Sequence, residues 1–388
     1  MFSDHNPLTS DMLRIVSYKT LGELPNPFIY QNGKKLTQPA EWANRRTEIS
    51  TMAVDFQFGT IPPPPEYFNV ELLSLGKNQR SYKIHAGTEK KHIDFLMKVI
   101  MPAGTDRPFI IDGDLCSPYF TKEGFLEAAL SNDIGWVLFD RTELAHDVVG
   151  EGSRQGELYQ IYPEYQFGAL GAWAWGYSRC IDALVTLCLP QVDIGCLAVT
   201  GHSRGGKAAL LAGAIDQRIA IVNPNEACLG GSGCYRIQIE GDYLDLPRWR
   251  SETLEDILSD TDFWFGPDMK SYCGRAEDLP FDAHYLKAMV APRILFDSEA
   301  AGDVWANPVG SWMTTIAAKE VYKFLSAEQN LFWYFRPGTH YHTAQDIGML
   351  VNIILKVHDA HLIRDDFFRL PFTPVDLAFS WRNPLDEK

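Results

Sequence analysis

A serine set between glycines, with two cations on the segment that follows it, is the arrangement in this sequence best suited to chemistry. It lies in Val199-Thr200-Gly201-His202-Ser203-Arg204-Gly205-Gly206-Lys207-Ala208-Ala209-Leu210, where an apolar run that reads as a strand enters Gly-x-Ser-x-Gly and then a helix. Glycines at 201 and 205 permit a tight turn and close packing of helix on strand. The Ser203 hydroxyl is then exposed above a sheet with a helix N-terminus behind it. A hydroxyl is a weak nucleophile near neutral pH, so this chemistry demands an imidazole base and a carboxylate that orients it. Arg204 offers a backbone N–H, and its guanidinium, to a developing oxyanion. Lys207 follows one helical turn later, so its ammonium is expected over the same cleft, engaging hydroxyls or a carboxyl group.

The base is sought in Arg336-Pro337-Gly338-Thr339-His340-Tyr341-His342, directly after an apolar run at 331–335. His340 is preferred and His342 is the alternative. Two acids compete to orient it: Glu226, after the strand that follows the nucleophile helix, and Asp303, after the next strand. Both stand at strand ends, where catalytic groups collect. The seven cysteines show neither CxxC pairing nor the Cys/His spacing of a zinc site. They read as buried thiols, with one disulfide if the protein is exported. No metal centre and no organic cofactor are expected.

The elements that must position these groups follow a repeating pattern. From Pro108 onward, apolar runs at 109–111, 135–139, 196–200, 219–222, 293–296 and 331–335 alternate with helical periodicity at 120–131, 167–187, 204–214, 282–290, 311–325 and 344–360. Such alternation predicts right-handed βαβ crossovers and a doubly wound, mostly parallel sheet between helical layers, a three-layer αβα sandwich of the α/β-hydrolase type. Residues 1–60 read as a lead-in packed on the body, with a helix around Asn44-Arg45-Arg46-Thr47-Glu48. Pro62–Pro65 is a stiff connector. Residues 61–388 then form a single catalytic domain, in which 237–280, rich in Asp, Trp and Tyr, is an insertion over the cleft.

The formal net charge of −15 repels phosphate backbones and anionic lipid, so nucleic acid and membrane surfaces are not expected partners. Apolar residues make up 46% of the chain and aromatics 12%, enough for a large core with Trp and Tyr left to line a cleft. An acidic substrate would need a local cationic pocket, which Arg204 and Lys207 supply. The N-terminus lacks the pattern of a signal peptide, and no run approaches the roughly 18 apolar residues of a membrane span.

At these residues the chain resembles the glucuronoyl esterases, carbohydrate esterase family fifteen. Their nucleophile motif, Gly-x-Ser-Arg-x-Gly-Lys, is met by Gly201, Ser203, Arg204, Gly206 and Lys207. The resemblance extends through Gly168–Gly176, Glu226 with Gly230–Arg236, Trp264-Phe265, Leu279–Asp282, Ala291-Pro292-Arg293 and Asp303-x-Trp305, and covers roughly residues 45–360. It implies Ser203 as nucleophile, Glu226 as acid and Arg204 as the oxyanion-stabilising arginine. It also implies Lys207, Glu252 and Trp305 as contacts to a glucuronate ring, with Asp303 where some bacterial members keep a second acid. Fungal members carry a cysteine just before the nucleophile and another just after the catalytic histidine, joined as a disulfide. Here those places hold His202 and Tyr341 or Thr343, which sets the chain nearer bacterial members. Fungal spacing selects His342 as base. The bacterial Gly-x-His with a later Asp, here Asp346, selects His340.

The resemblance implies a serine hydrolase of 4-O-methyl-glucuronate esters in plant cell-wall glucuronoxylan, monomeric and secreted or periplasmic. Two other readings fit the same residues: an acetyl xylan or other carbohydrate esterase, and a non-catalytic carbohydrate-binding protein on a hydrolase fold.

Overall fold

The computed structural model describes residues 12–117, 122–149, 154–359 and 367–386. The first residues of the helix expected at 120–131, and residue 360 at the end of that expected at 344–360, lie outside them. The strands are β1 (Arg14–Thr20), β2 (Tyr67–Leu75), β3 (Gln79–Gly87), β4 (His92–Ile100), β5 (Arg107–Asp112), β6 (Gly135–Phe139), β7 (Val192–His202), β8 (Ile221–Asn225), β9 (Ile237–Asp242), β10 (Trp249–Arg250), β11 (Ile294–Ala300) and β12 (Leu331–Arg336). Nine of these form one sheet in the order β12-β11-β8-β7-β5-β6-β4-β3-β2. From β6 to β12 the neighbours run parallel, while β2, β3 and β4 add an antiparallel edge.

Alternation across the pleat sends successive side chains to opposite layers. Phe109 and Ile111 of β5 enter a core shared with helices Ala169–Leu187, Arg204–Ile215 and Ala283–Val290. Ile110 between them joins the other layer, beneath helices Lys122–Leu130 and Ala344–Asp359. The chain turns from β5 to β6 on one side and returns to β7 on the other. The C-terminal ends of β5 and β7 therefore flank the switch in winding direction, where open α/β sheets form their crevice. Asp114 follows the first of these ends and Ser203 the second.

The strand expected at 219–222 begins two residues later and ends three later, so Asn223-Pro224-Asn225 belongs to β8 and Glu226 stands at its exit. The lead-in does more than rest on the body: β1 pairs antiparallel with β9 from the 237–280 segment, and β10 completes this small second sheet. Helix Trp42–Ser50 covers the expected 44–48 stretch. Among the described residues, no helix is long and apolar enough to cross a membrane.

β11 is fastened from behind by a buried charge. Lys287 is fully buried and bonds Asp297, the carbonyl of Ser311 (2.9 Å), Thr314 Oγ1 (2.9 Å) and Thr315 Oγ1 (2.8 Å). Removing one member of such a pair strands the other charge in the interior. Lys287→Ala is expected to cost about 3–5 kcal/mol of unfolding free energy in a denaturant titration. Lys287→Met with Asp297→Leu should recover most of that loss.

Candidate active site

β7 ends at His202, and Ser203 takes φ 57°, ψ −119° before the helix Arg204–Ile215 begins. A non-glycine residue holds this conformation only where its surroundings impose it. Here the Ser203 N–H donates to the Asn225 carbonyl (2.9 Å) and the Ser203 carbonyl accepts from the Lys207 N–H (3.0 Å). The flanking glycines are required by space: a Cβ on Gly201 would lie 2.5 Å from the Gly205 carbonyl, and one on Gly205 would lie 2.2 Å from Asp114 Oδ1. The serine thus stands at the mouth of a cavity of about 620 Å³ that Arg141, Asp147, Arg204 and His340 also line. Among the described residues no hydrogen bond joins the Ser203 hydroxyl to His340, although both face this cavity. In hydrolases such contacts often tighten only when substrate is bound.

Both candidate acids reach the same imidazole. His340 Nδ1 lies 2.5 Å from Asp303 Oδ2 and 3.2 Å from Glu226 Oε2. Glu226 is fully buried, and burial pushes its carboxyl up to about 8 against the pull of His340 and Arg336. Burial alone would lower the proton affinity of His340, but the bonds to Asp303 and Glu226 outweigh it and raise the imidazole to about 10. His342 points elsewhere. It is buried with its ring 4.8 Å from Phe125, edge on, and 5.7 Å from His202, stacked, so it meets neither acid. His202 lies 4.5 Å from His340, bonds Asn225 through Nδ1 (2.7 Å), and is driven by burial, with His340 beside it, down to about 3. The seven cysteines are all unbridged.

Arg336 holds this group in place. Its buried guanidinium donates to Glu226, to Asp346 (2.9 and 3.2 Å), to the Thr339 carbonyl (3.1 Å) and to the Tyr341 carbonyl. The last two carbonyls flank His340. Asp346 also accepts from the Thr343 N–H (2.9 Å) and hydroxyl (2.7 Å), closing the loop onto the helix that follows.

The expected binding residues divide. Arg204 lines the cavity, 3.1 Å from Asp147 and with its guanidinium 4.8 Å from the Trp264 ring centre. Lys207 is not spread over the cleft as expected. Close helix packing buries it, and Nζ bonds the Ala227 carbonyl (2.8 Å), 5.8 Å from the Trp264 ring. Its charge is felt by Glu252, whose carboxyl burial raises while Lys207 and Trp305 oppose the rise. Glu252 is joined to Trp305 through its backbone N–H as well (3.0 Å). Trp305 lines a second hollow of about 310 Å³ with Tyr243, Trp249 and Asp303, and His340 and Tyr341 border both spaces.

Besides Arg336, three participants were not singled out from sequence. Arg141 pairs with Asp114, stands 3.6 Å from Asp147 and lies over the Trp173 ring at 4.8 Å. Asp114 Oδ2 in turn accepts the His202 N–H (2.8 Å). Their one sequence signal is position, since Asp114 and Arg141 immediately follow strand ends. His340 also lies close enough to His202 with Glu226, and to Cys228 with Asp303, for a metal ion to compete for its ring nitrogens.

A corner strained at serine, on a mostly parallel sheet, with an imidazole backed by carboxylates from two further strand ends, is the architecture of the α/β-hydrolase fold. Within that class, the family model for fungal glucuronyl esterases matches residues 84–326, well over half of the chain, and the protein belongs to this family. A 4-O-methyl-glucuronoyl methylesterase from Podospora anserina is 32% identical over 329 residues, 82% of this chain and 64% of that protein. Another from Cerrena unicolor is 31% identical over 328 residues, 83% of this chain and 66% of that protein. The matched part thus spans slightly less than two thirds of either relative. A solved glucuronoyl esterase of carbohydrate esterase family 15 from Caldicellulosiruptor kristjansonii superposes with a TM-score of 0.80 at 26% identity, over 96% of this chain and 98% of that one.

The two carboxylates make a prediction about titration. Because they stabilise the imidazolium, Asp303→Asn should lower the pKa of His340. Glu226→Gln should lower it too, by less, since the carboxylate it removes is the more distant. NMR titration of the His340 ring carbons checks this, and an unchanged midpoint in both variants would contradict the assigned contacts.

Proposed function

We propose that this chain is a serine carboxylic-ester hydrolase that cleaves esters of 4-O-methyl-glucuronic acid, the linkage that joins glucuronoxylan to lignin alcohols. The observation that carries the reading is the shared cavity of Ser203 and His340, with Asp303 and Glu226 both on the imidazole Nδ1. With Nδ1 turned to the acids, Nε2 is the nitrogen left to serve the hydroxyl.

In the proposed reaction the neutral form of His340, a minor species while Asp303 and Glu226 hold its proton affinity up, takes the proton of Ser203 at Nε2 as Oγ attacks the C6 carbonyl carbon of the uronate ester. Negative charge moves to the carbonyl oxygen, where the Arg204 N–H and guanidinium stabilise it. Collapse breaks the bond to the alcohol oxygen, which leaves with the proton from the imidazolium. Water then repeats the sequence on the acyl-enzyme, releasing glucuronate and restoring Ser203. Asp303 and Glu226 keep the imidazole in the required tautomer and stabilise its cation. Arg336 positions Glu226 and the loop that carries His340. Glu252 is assigned to sugar hydroxyls and Trp305 to the apolar face of the ring, while Lys207, buried and bonded to the Ala227 carbonyl, acts through its charge on Glu252. None of these steps requires a cofactor. A plant cell-wall substrate lies outside the cell, which supports a secreted or periplasmic site of action.

Ser203→Ala should reduce kcat on a glucuronate methyl or benzyl ester by about 10,000-fold or more without altering the thermal midpoint substantially. Full retained activity would overturn the nucleophile assignment. Faster hydrolysis of acetylated xylan than of the uronate ester would move the protein to the acetyl esterases. A folded chain that turns over neither ester and resists labelling by a fluorophosphonate would fit a binding protein instead. Arg336→Met should lower kcat at least about 10-fold while leaving Ser203 labelling measurable, because the nucleophile corner does not depend on it.

A further inference from the structure

The antiparallel edge of the sheet, made of strands that do not carry Ser203, His340 or either acid, gathers four ionisable side chains on one face. His85 of β3 and Asp94 of β4 are direct cross-strand partners. His92 lies two residues before Asp94 and so projects from the same face. Glu71 reaches in from β2. His85 Nδ1 is 2.7 Å from Asp94 Oδ1, and His92 Nε2 is 3.7 Å from that same oxygen. One ligand atom from each of His85, His92 and Asp94 lies within 4.8 Å of the other two.

These separations bracket what a small cation requires. Zinc holds imidazole nitrogen and carboxylate oxygen at about 2.0–2.2 Å, which sets tetrahedral ligand atoms roughly 3.4 Å apart. Exposed and half-buried side chains reach that spacing by shifts of at most about 1.4 Å. The other side of the His85 ring adds an independent feature: Nε2 lies 3.4 Å from Glu71 Oε2. When an ion replaces the Nδ1 hydrogen that Asp94 accepts, Glu71 can accept the Nε2–H, the outer support that metal-bound histidines usually have.

We propose that His85, His92 and Asp94 form a surface site for a divalent cation of the zinc class, with Glu71 positioning His85. Two imidazoles and one carboxylate favour zinc, copper or nickel over magnesium and calcium. Three protein ligands leave a coordination position for water. An ion here would fasten β3 to β4 and, through Glu71, to the edge strand β2, so binding would stabilise the edge of the sheet. Cysteine spacing could not disclose such a site, because strand pairing rather than a linear motif assembles it.

The test is calorimetric titration of the chelator-stripped full chain with zinc chloride. The expected result is one site with a dissociation constant of about 10 μM or tighter. It should persist in His340→Ala, weaken at least about 100-fold in His85→Ala and in His92→Ala, and weaken about 10-fold in Glu71→Gln. Zinc should raise the thermal midpoint of the parent chain and not that of His85→Ala. Unchanged hydrolysis of a reference ester by the edge variants shows that they fold. Three outcomes overturn the proposal: no heat at about 1 mM zinc, equal affinity in the parent and the His85 and His92 variants, or binding lost in His340→Ala and kept in His85→Ala, which would assign the ion to the catalytic cluster.

Discussion

One buried guanidinium connects the parts of the candidate active site that different strands deliver. Arg336, the last residue of β12, bonds Glu226 from the exit of β8, Asp346 from the helix that follows, and the carbonyls on either side of His340. A planar fork of five donors can satisfy so many acceptors at once, whereas an ammonium cannot present donors in that geometry. A carboxylate as buried as Glu226 would be costly alone; the positive charges of Arg336 and His340 offset part of its desolvation. The sheet register makes this convergence possible. β12 pairs with β11, which leads to Asp303, and β11 pairs with β8, which leads to Glu226. Three adjacent strand ends therefore meet one imidazole.

Electrostatics in the cavity runs against the charge of the whole chain. The chain carries a net charge of −15, yet Arg141 and Arg204 both line the space in front of Ser203. Asp147 bridges them, and Asp114 both pairs with Arg141 and accepts the N–H of His202, the residue before Ser203. Those carboxylates hold the guanidiniums in place while partly neutralising them. The Arg204 side chain stays 41% exposed, so its charge remains available to the cavity. An aromatic wall completes the arrangement, with Trp264 beneath Arg204 and Trp173 beneath Arg141.

The sequence made the parallel half of the sheet legible because buried strands are near-continuous apolar runs, as at 109–111, 135–139 and 331–335. The antiparallel edge escaped notice for the same reason. β2 has mostly exposed side chains, and β4 alternates buried with exposed ones, so neither stands out as an apolar run. The pairing of β1 with β9 joins residues more than two hundred positions apart and leaves no local signal. Ser203, Arg204, His340, Asp303 and Glu226 could be proposed for the candidate site because each follows a strand end in chain order. Arg141, Asp114 and Arg336 share that kind of position but lack a motif to mark them.

What the sequence by itself determined was a strand, a tight corner with one serine, a helix, and a short list of imidazoles and acids that could serve it. Backbone sterics at Gly201 and Gly205 are local, and local constraints are written in adjacent residues. Tertiary structure alone decided which of two histidines two positions apart meets a carboxylate, that both acids rather than one reach it, and that Lys207 turns inward. Those outcomes depend on how separate strands register and which side chains the core leaves room to bury, and no run of neighbouring residues encodes either.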